Sequence, residues 1–86
     1  MTTAITVNGV DFSFETSHGD DVIDVYDVNG NRVISMEKDF SSEQIYGDVI
    51  SVENGVEHTF EAQFFDFKDK PILDLVEWAI ETQLFC

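Results

Sequence analysis

The sequence predicts an α+β fold: an antiparallel β-sheet of about five to six strands with one C-terminal α-helix packed on a face. Three observations predict it. Asn-Gly dipeptides at Asn8-Gly9, Asn29-Gly30 and Asn54-Gly55 each separate two β-branched or aromatic runs, and Asn-Gly suits the two φ > 0 positions of a type I′ hairpin turn. The runs alternate apolar and polar residues, as half-buried strands do. Only the stretch from Lys70 to Cys86, KPILDLVEWAIETQLFC, sustains the apolar period of a long helix.

In the first hairpin a two-residue turn pairs Val7 with Val10, Ile5 with Phe12 and Thr3 with Phe14 on one face. Thr6 with Asp11, Ala4 with Ser13 and Thr2 with Glu15 fall on the other. Residues 16–20 form the connecting loop. The second hairpin sets Val25 against Ile34 and Ile23 against Met36. It also sets Tyr26 against Val33 and Asp27 against Arg32, an exposed pair worth about 0–1 kcal/mol.

Ser41 and Gln44 have capping-box spacing, and Phe40 and Ile45 have staple spacing. Gly47, Val49, Ile50 and Val52 then favour strand. The expectation is a single helical turn at 41–46 followed by a strand at 48–53. The competing reading is one helix running to Asn54 and capped by Gly55. The third hairpin sets Val49 against Phe60 and Ile45 near Phe64. That register also sets Asp48 against Glu61, an unfavourable like-charge pair. Phe64, Phe65 and Phe67 put aromatics on both faces of the strand end.

In the helix, Pro71 suits the first position, where its missing N–H costs nothing, and Asp69 is the better cap acceptor. Ile72, Leu75, Val76, Ala79, Ile80 and Leu84 gather on one side, with Leu73 at the edge and Gln83 interrupting. Asp74, Glu77 and Glu81 fall within roughly 60° of one another on the other side. Trp78 and Phe85 project beside that acidic row.

The 86 residues make one domain, 1–86, and 43% hydrophobic residues build a thin core. Eighteen acidic residues stand against four basic ones, a net charge of −14. Such a chain repels itself, so salt should stabilise it. It should also avoid membranes and free nucleic acid, both anionic. One cysteine, Cys86, allows no internal disulfide. The start, MTTAITVNG, lacks the basic and apolar regions of a signal peptide, and no run approaches the ~20 apolar residues of a membrane span. A cytoplasmic location is the expectation.

Catalytic equipment is hard to assemble. Cys86 ends the sequence, His18 falls in a loop and His58 on a strand, so both histidines read as ordinary surface residues. No nucleophile elbow, zinc helix motif or phosphate-cradling glycine loop occurs. Asp27-Val28-Asn29-Gly30-Asn31 superficially resembles a calcium loop. An EF-hand, however, needs Gly where Arg32 stands and Glu where Lys38 stands. No enzyme activity, cofactor or metal is expected.

The acids themselves are the remaining signal. Asp20, Asp21, Asp24 and Asp27 surround one hairpin. Glu53, Glu57 and Glu61 run along another, and Asp74, Glu77 and Glu81 line the helix. Rows of fixed carboxylates present charge at intervals comparable to a nucleic-acid backbone, which shows one charge per ~3.4 Å along each strand. In these acidic rows, in Trp78 beside Asp74, Glu77 and Glu81, and in the lack of catalytic residues, the chain resembles the small acidic phage-encoded inhibitors of host defence. That class includes anti-CRISPR and anti-restriction proteins, many of them DNA mimics. The resemblance is one of character, and no motif carries a residue over. It implies a non-enzymatic inhibitor whose partner is a basic protein or nucleoprotein complex of a host. The expected contacts are Asp74, Glu77 and Glu81 with Trp78 as aromatic anchor. Asp20, Asp21, Asp24 and Asp27 form a second patch, and Glu57 and Glu61 a third row. The alternative is a structural or assembly protein, such as a homodimer built on Phe64, Phe65 and Phe67. The plainest alternative is a generic acidic protein.

Overall fold

The computed structural model describes residues 2–19 and 21–85. Its strands are β1 (Thr3–Val7), β2 (Val10–Ser17), β3 (Val22–Tyr26), β4 (Arg32–Asp39), β5 (Gln44–Ser51) and β6 (Gly55–Gln63). A helical turn, α1 (Phe64–Phe67), and a helix, α2 (Ile72–Leu84), follow. The strands form one sheet in the order β1-β2-β3-β4-β5-β6, every neighbouring pair antiparallel. This is the α+β architecture expected from the sequence.

Alternation decides which face is buried. Ile5, Val7, Phe12, Phe14, Ile23, Val25, Ile34, Met36, Ile45, Val49 and Phe60 form the sheet's side of the core. Helix α2 covers them with Leu75, Val76, Ala79 and Ile80. Each fully buried aliphatic side chain contributes roughly 1.5–3 kcal/mol. Among the described residues no polar or charged side chain is buried, so the buried part of the helix-to-sheet contact is apolar packing. At Gly47 the backbone itself is buried, and the ring of Phe60, its partner across β5 and β6, lies over the position a side chain would occupy.

The turns set the registers. Asn8 and Gly9 both have positive φ, 52° and 78°, and Val7 pairs with Val10. Between β3 and β4 Gly30 has positive φ, 81°, whereas Asn29 does not. Here the carbonyl of Asp27 accepts the Gly30 N–H at 3.1 Å, and its carboxylate accepts the N–H groups of Asn29 and Asn31, each at 2.9 Å. This longer loop slips the register between Val25 and Tyr26, so Tyr26 pairs with Arg32 instead of Val33. The expected Asp27–Arg32 pair is therefore absent; the Arg32 guanidinium lies 3.7 Å from Asp24.

The β5–β6 loop corrects a second register. Residues 52–54 form a three-residue loop with Gly55 at φ 72°, and the Ser51 hydroxyl accepts the N–H groups of Glu53 and Asn54. Val49 then pairs with His58, Gly47 with Phe60 and Asp48 with Thr59. The expected Asp48–Glu61 opposition disappears. A further shift at Val49/Ile50 leaves Glu57 without a cross-strand partner.

Three local expectations also change. Strand β5 begins at Gln44, so the helical turn expected at 41–46, and the longer helix, do not form. Asp39 accepts the Ser41 N–H at 2.9 Å and Glu43 takes φ 56°, which ends the turn early. Phe64–Phe67 coil into α1 and do not extend β6. This places Phe64 against Phe40 and Phe67 against Trp78, where a strand would have left aromatics on both faces. Pro71, extended at ψ 155°, is itself the N-cap of α2 without a side-chain cap bond, so Asp69 does not cap it.

Candidate acidic interface

Helix α2 lies beside edge strand β6, and α1 bridges them at one end. The resulting groove has a volume of about 770 Å³. Asp74, Glu77 and Glu81 form one wall. Their spacing of three and four residues puts them on one side of α2, spread over roughly 10 Å at 1.5 Å per residue. Glu61 of β6 and Asp66 of α1 line the other side. All five carboxylates are exposed. The groove also contains one cation, Lys70, whose Nζ sits 5.8 Å from the centre of the Phe67 ring.

Trp78 contributes to the groove floor. It does not stand free beside the acids: it is half-buried, 6.0 Å from Phe60 and 5.3 Å from Phe67 by ring centroids. The Trp78 carbonyl accepts the Thr82 hydroxyl at 2.8 Å. A rigid aromatic surface thus lies under a rim of negative charge.

A second acidic array occupies the sheet face opposite α2. Register joins Glu15 to Asp24, Asp24 to Ser35, Ser35 to Asp48 and Asp48 to Thr59 in one row across the strands. The next row runs from Glu37 through Tyr46 to Glu61. Strands stand ~4.8 Å apart, so neighbouring acids in a row are separated by one or two such steps. Glu15 directly opposite Asp24 is an unfavourable pair, which the Arg32 guanidinium beside Asp24 offsets in part. Nearby Tyr26 registers this field. Burial first, then the charges of Asp24 and Glu15, push its phenol above the ordinary 10.0, while Arg32 acts in the opposite sense. Glu61 belongs to both arrays, so the anionic surface runs from the open sheet face round β6 to α2.

The structure thus brings together Asp74, Glu77, Glu81, Trp78 and Glu61. Glu57 sits apart, at the irregularity near the start of β6. Asp24 belongs to the open sheet face, and Asp21, half-buried, accepts the Lys38 N–H through its carbonyl at 2.8 Å. Asp27 directs its carboxylate into its own turn. Asp20 and Cys86 lie outside the described residues. Sequence reasoning missed Asp66, whose place depends on α1, and Glu15, Glu37 and Asp48, whose grouping depends on registers between strands. His58 touches Gln83 of α2 at 3.1 Å. Among the described residues no group of three or more His, Cys, Asp or Glu side chains is placed to hold a metal ion. No helix among them is long and apolar enough to cross a membrane. Comparison with protein-family models, curated proteins and solved structures finds no match to this chain.

Proposed function

We propose that this chain is a non-enzymatic inhibitor that binds a basic, nucleic-acid-binding protein or nucleoprotein complex of a host, such as a CRISPR effector or restriction enzyme. It acts by DNA mimicry or by blocking the groove. A phage-encoded protein working in the host cytoplasm, without binding nucleic acid itself, fits that role. The observation that supports the reading most is the gathering of Glu61, Asp66, Asp74, Glu77 and Glu81 around one groove, with Glu15, Asp24, Asp48 and Glu37 on the adjoining sheet face, on a chain of net charge −14. Single exposed ion pairs are worth only about 0–1 kcal/mol. An array of them steers encounter with a basic groove, by about 10- to 1,000-fold in rate, and Trp78 supplies apolar contact at its centre.

The test uses a panel of basic nucleic-acid-binding proteins, with affinity measured at low and high salt and with duplex DNA as competitor. Expected are a partner whose affinity falls steeply with salt, mutual exclusion with DNA, and weakening by the triple change Asp74→Asn, Glu77→Gln, Glu81→Gln. A partner that holds this chain and DNA simultaneously would overturn mimicry. A second reading, a structural or homodimeric module, is favoured by the exposed ring of Phe65 on α1.

A further inference from the structure

On the other side of α1 lies a notch of about 500 Å³, walled by Phe40, Ile45, Phe64 and Phe67. Phe65 stands at its rim with 81% of its surface exposed, and Phe40 is 62% exposed. Both rings line the same notch, and exposed apolar surface of this kind favours removal from water. Its charges set it apart from the rest of the molecule. Of the four basic residues, Lys38 and Lys68 line this notch and Lys70, again with Lys38, lines the hollow beside it. The fourth, Arg32, sits across the sheet next to Asp24. Among the described residues Glu43 is the one acid lining the notch, while Glu37 and Asp39 line a hollow that shares Lys38 and Phe40 with it.

The occupant follows from this imbalance. Two copies of a chain with net charge −14 repel one another when groove meets groove or sheet face meets sheet face. At the notch, exposed Lys68 and Glu43 and half-buried Lys38 line the same hollow as the exposed rings. A two-fold contact brings the same patch onto itself, so Phe65 of each copy can meet the other's notch and one lysine of each can meet the other's glutamate. We propose that this notch is a self-association surface whose occupant is a second copy of this chain. Phe65 of each copy enters the notch of the other, and Lys38 or Lys68 of each faces Glu43 across the contact. The arrangement leaves the walls Asp74, Glu77 and Glu81 uncovered, and it does not depend on the inhibitory reading.

The two readings have opposite salt signatures. Salt weakens binding of an acidic groove to a basic partner. It strengthens association of two copies through a largely apolar patch, because it screens the repulsion between their remaining surfaces. Sedimentation equilibrium of the full chain at about 0.05 and 0.5 M NaCl measures this. Expected is a monomer–dimer equilibrium, tighter at high salt, that Phe65→Ser weakens by about ten-fold or more. Lys68→Glu should weaken it most at low salt. The Phe65 ring is outside the core, so Phe65→Ser should keep the circular dichroism of the parent. A chain that stays monomeric at both salts, or a dimer that Phe65→Ser leaves intact, overturns the proposal. So does a monomeric chain whose Phe65→Ser variant loses a different protein partner, since that outcome gives the notch to the partner.

Discussion

Gly47→Ala tests how the core is closed at β5–β6. A Cβ at residue 47 would fall within 3.0 Å of three carbons of the Phe60 ring, with Cε2 at 2.7 Å. Real Cβ atoms do not approach that closely, so the ring must move. It cannot swing freely, because Trp78 packs 6.0 Å from it and Phe67 packs on Trp78. Overpacking of this kind costs about 1–3 kcal/mol. Replacing a strand glycine returns about 0.5–1 kcal/mol of backbone entropy. The net expectation is a destabilisation of up to about 2.5 kcal/mol, centred on about 1. The ring carbons that would clash are absent from leucine, so Gly47→Ala in a Phe60→Leu background should be neutral or slightly stabilising. Urea unfolding of the four proteins of this double-mutant cycle reads the coupling directly. If Gly47→Ala costs the same with and without the ring, the glycine is not there to admit Phe60 and the reasoning fails.

Two further outcomes follow from charge. The melting temperature should rise from low to moderate NaCl, because the dominant electrostatic term at net −14 is self-repulsion; a fall would contradict it. Tyr26, raised by burial and by Asp24 and Glu15, should titrate later than a free tyrosine when phenolate absorbance is followed. Its folded state holds the proton more tightly than its unfolded state. Its contribution is thus complete below 10.0 and is lost as pH climbs through the folded value. Tyr26→Phe should remove that late component, and its persistence would assign the signal elsewhere.

Alternation and helical period made the sheet, the helix and the core legible. Ile23, Val25, Ile34 and Met36 reach the core from period-two reasoning alone, as Leu75, Val76, Ala79 and Ile80 do from the helical period. Turn geometry was not legible to the same depth. Asn29-Gly30 and Asn8-Gly9 are the same dipeptide, yet only Asn8 takes positive φ, because Asp27 supplies acceptors that shape a longer loop. One residue of slip then moved Arg32 from Asp27 to Asp24. The acidic wall of α2 follows from arithmetic along one helix. The groove does not, because Asp66 arrives through α1, and rows such as Glu15–Asp24 join strands from different hairpins. Local patterns do not encode contacts between elements that meet only on folding.

In the sheet each strand lies beside its neighbour in sequence, and α2 comes after all six. A growing chain can therefore zip its strands together as they leave the ribosome, needing only short loop closures. Until α2 emerges, however, eleven apolar side chains on one sheet face have nothing to cover them. Solubility during synthesis then rests on the carboxylates of the opposite face. The charge that would meet a partner in the finished molecule would also keep nascent copies apart while their cores are open.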